Sequence, residues 1–240
     1  MTEKEIREEG YTVVFLSDLH YGTVLDKEQL QKAANSIEKE KPDVVILGGD
    51  IVDESTTLEE MEEAFSVLGG ISSQYGIYFV YGNHDRSNYS ASPNYSEQQL
   101  ADAVKQAGIQ TLEDTACEIN GEIVLIGRGD KGDGKTGRKS VSQLVEGLDD
   151  GKVWILVDHR PADYEAAEKS GCEMILSGHT HGGQIWPIGI LSGIAQMDEM
   201  NYGYREQGNL TAIVSSGIAG WGLPIRTEGH SEYVVISLSK

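Results

Sequence analysis

The chain has 240 residues, 39% hydrophobic and 24% charged, which are ordinary values for a folded domain with a sizeable core. Its formal charge of -20, from 39 acidic against 19 basic residues, is not ordinary. Such a surface disfavours duplex nucleic acid and argues against docking on anionic membranes through a basic patch. No apolar run approaches the roughly 18 residues of a membrane span. The start, MTEKEIREE, is charged throughout and cannot be the apolar stretch of a signal peptide. The chain as given reads as soluble and, by default, cytoplasmic. A membrane anchor or export segment would have to come from a longer native product. The expected organisation is one domain over residues 1–240, with residues 1–10 as a charged N-terminal extension. The two cysteines, Cys117 and Cys172, lie in apolar stretches and read as buried free thiols.

Tyr11–Ser17 (YTVVFLS) is a short β-branched run and reads as a buried strand. Lys27–Lys39 carries Leu30, Ala33, Ala34 and Ile37 at helical spacing, and Pro42 closes it. Asp43–Gly48 (DVVILG) is a second strand, and Thr57–Leu68 a second helix, opened by Ser55 or Thr56. Gly76–Tyr81 is a third strand and Ser96–Ala107 a third helix, ended by Gly108. Ala116–Ile119 and Glu122–Gly127 flank Asn120-Gly121, a hairpin signal. Gly127–Ser140 is linker-like but too short to separate domains. Lys152–Val157 is a strand, Ala162–Ser170 a short helix and Glu173–Ser177 a further strand. Thr211–Ser215 and Tyr233–Leu238 read as closing antiparallel strands. The pattern predicts a two-sheet α/β sandwich, with βαβ units first and more antiparallel pairing later.

Five of the six histidines stand in short clusters with Asp, Asn or Gly, each after a strand-like run. The clusters are Asp18-Leu19-His20, Gly49-Asp50 with Asp53, Gly82-Asn83-His84-Asp85, Asp158-His159 and Gly178-His179-Thr180-His181. Ligands of open α/β sheets bind beyond the carboxyl ends of the strands, so these distant clusters are able to converge on one rim. Hard oxygen and borderline nitrogen donors without thiolate suit Mn, Fe or Zn, with Mg also accommodated. Two ions about 3.5–4 Å apart are the usual equipment for phosphoester displacement. Asp50, behind two glycines, is the best candidate for a carboxylate bridging both ions. Asp53 is better placed to orient a ligand than to bind metal, or it caps a helix. Asp18 and His20 reach one ion if the chain leaves its strand extended, and His179 and His181 then point to the same side. His84 is the candidate general acid, with Asp85 fixing its tautomer. His230 belongs to no cluster and reads as a surface histidine.

The ordered set DLH, GD-x-x-D, GNHD, H and GHTH resembles the calcineurin-like metallophosphoesterase family. The resemblance implies a four-layer α/β/β/α sandwich of two mixed β-sheets flanked by helices. It implies one ion held by Asp18, His20, Asp50 and His181, and a second held by Asp50, Asn83, His159 and His179. It makes His84 the proton donor, supported by Asp85. A finer likeness rests on SDLHYG, HGGQI and SSGI with Arg226. These are similar to a bacterial branch of membrane-associated phosphodiesterases and UDP-2,3-diacylglucosamine pyrophosphatases.

The reading is a two-metal phosphoesterase, diester before monoester, in which a hydroxide bridging the ions attacks phosphorus and His84 protonates the leaving group. The alternatives are a pyrophosphatase acting on a nucleotide-linked lipid or dinucleotide, and a non-catalytic metal-binding scaffold. The expected partner is a small phosphoester, lipid- or nucleotide-linked. Gly182–Tyr204 reads as an apolar loop beyond the metal rim, able to grip such a group or simply to pack on the sandwich. Arg128, Lys131, Lys135, Arg138 and Lys139 are a basic cluster that either meets substrate phosphate or is a solvated loop.

Overall fold

The structure, a computed structural model, describes residues 4, 6–131, 137–195, 198–223 and 225–240. In chain order the first half holds β1 (Tyr11–Leu16), α1 (Lys27–Lys39), β2 (Val44–Leu47), α2 (Leu58–Gly69), β3 (Ile77–Phe79), α3 (Glu97–Gln106) and β4 (Gln110–Thr111). There follow β5 (Thr115–Ile119), β6 (Ile123–Gly127), α4 (Val141–Leu144), β7 (Val153–Val157), α5 (Tyr164–Lys169) and β8 (Met174–Ser177). A 3₁₀ turn at His181–Gly183, α6 (Ile188–Ala195), β9 (Gly203–Gln207), β10 (Leu210–Val214) and β11 (Val234–Leu238) complete the elements.

The strands form two mixed sheets, ordered β11-β1-β2-β3-β4 and β5-β6-β7-β8-β10-β9. Alternation along each strand explains why these runs are apolar throughout. Val13 and Phe15 join Val44 and Ile46 in packing on Ile123, Leu125, Val153 and Ile155 of the other sheet. Val14, Leu16, Val45 and Leu47 face the opposite way, onto Leu30 and Ile37 of α1, Phe65 of α2 and Val104 of α3. The second sheet turns Trp154 and Leu156 onto Leu144 of α4 and Tyr164 of α5. The result is four layers, α/β/β/α, in which the inner strands β1, β2, β6, β7 and β8 are buried on both faces, as near-continuous hydrophobic strands demand.

The helices begin where local chemistry tells them to. Asp26, Thr57, Ser96 and Ser140 each cap a helix, and each pairs with Gln29, Glu60, Gln99 or Gln143 in a reciprocal capping box. The cap of α2 is thus Thr57 and not Ser55 or Thr56. Thr56 is buried and holds Tyr21 O and Asp53 N instead.

Several expectations need correcting. The second sheet is parallel across β6, β7, β8 and β10, and only its edges β5 and β9 run antiparallel. β10 closes antiparallel against β9 as expected but parallel against β8, while β11 closes antiparallel on β1. The apolar segment after the GHTH motif contains the helix α6 rather than loop alone. Within the charged N-terminal stretch, Ile6 is buried in the inter-sheet core and Arg7 pairs with Asp43 at 2.5 Å. Both cysteines are free, but only Cys172 is fully buried, while Cys117 is half-buried. No helix of the described residues is long and apolar enough to cross a membrane.

Candidate metal centre

The candidate ligands lie just past the carboxyl ends of β1, β2, β3, β7 and β8, and hydrogen bonds tie the loops together. Asp18 N donates to Gly49 O at 3.0 Å, and Leu19 N and His20 N donate to Asp50 O. The sequence suggested extended turns, but the structure does not have them. Asp18 (φ 55°), His20 (φ 44°), Asp50 (φ 53°), His179 (φ 73°) and His181 (φ 52°) all occupy the left-handed region. That conformation costs about 1–3 kcal/mol per residue and persists only where the surroundings over-determine it. Here it folds each ligand back over the strand ends instead of letting it run out to solvent. Room for this comes from Gly49, where a Cβ would stand 2.5 Å from Gly82 N and 2.7 Å from His159 Nδ1. A Cβ on Gly178 would likewise collide with Asp18 and Ser17.

Two clusters result. Asp18, His20 and His181 form one, and Asp50, His159 and His179 the other, with ligand atoms within 4.8 Å of one another in each. Asp50 stands between them. Its Oδ2 is 3.0 Å from His159 Nε2 and 3.9 Å from His20 Nε2. Its Oδ1 accepts His84 N at 2.9 Å, which brings the Asn83 turn against the same carboxylate.

The donor set fits divalent ions. His20 directs Nδ1 to Asp53 Oδ2 at 3.1 Å, and His159 directs Nδ1 to Gly48 O at 2.8 Å, so each leaves Nε2 for a metal. His20 Nε2 and Asn83 Oδ1 are buried without a hydrogen-bond partner. Buried polar atoms are nearly always satisfied, so orphans on two of the candidate ligands point to a bound group. Burial, reinforced by the nearby His159 and Arg160, pushes His179 down to about 3, leaving a neutral imidazole whose Nε2 lies 3.1 Å from Arg160 Nη1. Burial outweighs the carboxylates at His181 and lowers it too. At His159 burial acts downward, but Asp50 prevails and raises it, while Asp50 is lowered in turn. Asp53, against burial, is pulled down to about 2 by bonds from His20 and Ser55.

His84 borders this centre, and its partner is not the expected one. Asp85 is fully buried and accepts the backbone N–H groups of Gly82, Asp50, Ile51 and Val52, so it clamps two ligand loops together. Glu54 Oε2 lies 2.8 Å from His84 Nδ1 and fixes the tautomer. Burial lowers the His84 pKa, but Glu54 and Asp50 overcome it and hold it above its ordinary value. Rings of Tyr89 and Trp221 approach the His84 imidazole to 5.1 and 5.7 Å between centroids, and both are more than half exposed.

Arg128, Arg138 and Lys139 of the basic cluster make structural contacts. Arg128 and Arg138 each donate to the fully buried Asp158 at 3.1 Å and also bind Asp163, which anchors the turn before His159. Lys139 donates to Asp114 O. Lys135 lies outside the described residues. Sequence reasoning missed Glu54, Tyr89, Arg160 and Trp221. Glu54 directly follows Asp53 and Arg160 directly follows His159, the only signals the sequence offers for them. His230 is exposed, as expected.

The sequence profile described as calcineurin-like phosphoesterase matches residues 11–183. The chain belongs to the calcineurin-like phosphoesterase family. An uncharacterized metallophosphoesterase of Helicobacter pylori is 29% identical over 94% of this chain, which spans 59% of that relative's length. Another, from Aquifex aeolicus, is 28% identical over 99% of this chain and 88% of its own length. The crystal structure of a dimetal phosphatase from Danio rerio shares the fold, with a TM-score of 0.57 at 14% identity, covering 97% of this chain and 94% of that one.

Proposed function

We propose that the chain hydrolyses phosphoesters at two divalent ions and prefers diesters. The observation that carries this reading is Asp50 Oδ2, which faces an imidazole of each cluster, the placement a shared carboxylate requires. Asp18, His20, Asp50 and His181 would hold one ion, and Asp50, Asn83, His159 and His179 the other. The oxygen and imidazole donors suit Mn, Fe or Zn, and Mg is compatible. Such ions, when bound, lower the pKa of water and offset charge on phosphoryl oxygens. His84, held by Glu54 and with its pKa raised by the surrounding carboxylates, would deliver a proton to the leaving oxygen.

Preference for a diester follows from charge and surface. A chain of net charge -20 admits a monoanion more readily than a dianion. Trp186, Ile188, Leu191, Trp221, Leu223 and Ile225 are each at least half exposed, on two segments joined through Gln184. This rim offers apolar contact to a diester's second substituent. A pyrophosphate linked to a nucleotide or lipid is the second reading, favoured by the Tyr89 and Trp221 rings beside His84.

The test is turnover of bis-p-nitrophenyl phosphate against p-nitrophenyl phosphate, using chelator-stripped protein resupplied with Mn, Zn, Fe(II) or Mg and metal counted in parallel. The expected result is two ions per chain and faster diester cleavage. Two ions without turnover of either ester would favour the scaffold reading, and one ion would remove the two-metal assignment.

A further inference from the structure

Arg160 lies outside every ligand motif, yet its guanidinium enters the centre. Nε donates to Asp130 Oδ1 at 2.9 Å, and Asp130 is completely buried. Nη1 lies 3.1 Å from Nε2 of His179. The Tyr89 ring stands against His84. The cation therefore spans from buried Asp130 to a candidate ligand of the second cluster.

The contact with His179 competes with metal. A guanidinium has only donors, so Nη1 uses the Nε2 lone pair that a metal ion on His179 would also use. One lone pair does not serve both, and an ion there also repels the arginine. Asp130 keeps Nε anchored, so Nη1 is released without the side chain leaving the rim. A planar fork held next to cationic centres is then matched to an anion with paired oxygens. A phosphoryl group is that anion.

We propose that Arg160 is a phosphate-binding residue whose Nη1 exchanges His179 Nε2 for a non-bridging phosphoryl oxygen of the substrate when the second cluster holds its ion. This rests on the phosphoesterase reading above. The competing role is purely structural, with Arg160 acting as a strut that pairs with Asp130 behind the His159 turn.

The experiment compares the full-length wild type with Arg160→Lys and Arg160→Ala, each loaded with manganese. Bound metal is counted, inorganic phosphate affinity is measured by calorimetry, and KM and kcat are determined for bis-p-nitrophenyl phosphate. Thermal unfolding shows that each variant is folded, and the lysine variant keeps the charge without the fork. The expected result is full metal occupancy in both variants, phosphate affinity about tenfold or more weaker in Arg160→Ala, and an intermediate loss in Arg160→Lys. KM rises in parallel. Phosphate affinity within twofold of wild type in Arg160→Ala, with both ions bound, would overturn the proposal. Loss of an ion from Arg160→Lys would also overturn it, in favour of the strut. A wild type that holds two ions but neither binds phosphate nor cleaves the ester would overturn the phosphoesterase reading itself, and the Arg160 role with it.

Discussion

The two ligand clusters look alike in composition but differ in how ready they are for metal. In the Asp18, His20 and His181 cluster, His181 Nε2 and Asp18 Oδ1 stand 3.6 Å apart, and His20 Nε2 is unpartnered. The Asp50, His159 and His179 cluster is internally engaged. His159 Nε2 approaches Asp50 Oδ2 to 3.0 Å, and Arg160 covers His179 Nε2. Each cluster offers an orphaned imidazole nitrogen, His20 Nε2 or His159 Nε2, but binding at the second would also require the arginine to be displaced from His179. Preorganised donors bind more tightly because less is rearranged on binding. Two similar ligand sets therefore need not be equivalent sites.

The largest effect should come from the residue the clusters share. Asp50→Asn is expected to reduce turnover by about a thousandfold or more and to deplete both ions, since it weakens both clusters together. Full metal occupancy in that variant would sink the shared-ligand assignment. The comparison sharpens in a metal titration of stripped protein, read by calorimetry. Binding should occur in two steps, with His181→Ala abolishing the tighter step and His179→Ala the weaker. The reverse order would show that Arg160 does not hinder the second cluster.

A smaller effect is expected at His84. Its acid form is the active one, and a pKa above the ordinary value keeps that form populated to higher pH. Glu54→Gln removes the carboxylate from Nδ1, so the high-pH decline in rate should move to lower pH. Turnover of alkyl esters should fall about ten- to a hundredfold, while p-nitrophenyl esters, whose leaving group hardly needs a proton, change little. Equal loss on both substrate types would remove Glu54 and His84 from proton transfer. The smallest effect on chemistry should come from the anchor behind His159. Arg128→Ala strips one partner from buried Asp158 but leaves Arg138, and should cost about 1–3 kcal/mol in urea unfolding with metal content unchanged. A loss of metal without loss of stability would contradict the anchoring role.

Much of the molecule is legible without coordinates because the information is local. Apolar runs ending in Asp or Asn, helical spacing at Lys27–Lys39, and Ser, Thr or Asp three residues before Glu or Gln all act within a few residues. Those signals locate the strands, the helices and the rim on which the candidate ligands gather. They do not tell a closing strand's direction, and β10 lies parallel to β8 because its neighbour in the sheet is chosen by packing. Nor do they choose side-chain partners. His84 meets Glu54 rather than adjacent Asp85, and Arg128 meets Asp158 rather than a phosphate, each across 30 residues of chain. Local signals also miss the left-handed turns at Asp18, Asp50, His179 and His181, where loops from different strands hydrogen-bond to one another. Sequence, acting through backbone and patterning chemistry, decided which residues reach the rim. Only the tertiary packing of those loops decided which atoms face each other there, because hydrogen bonding and ligation depend on distances set by the whole fold.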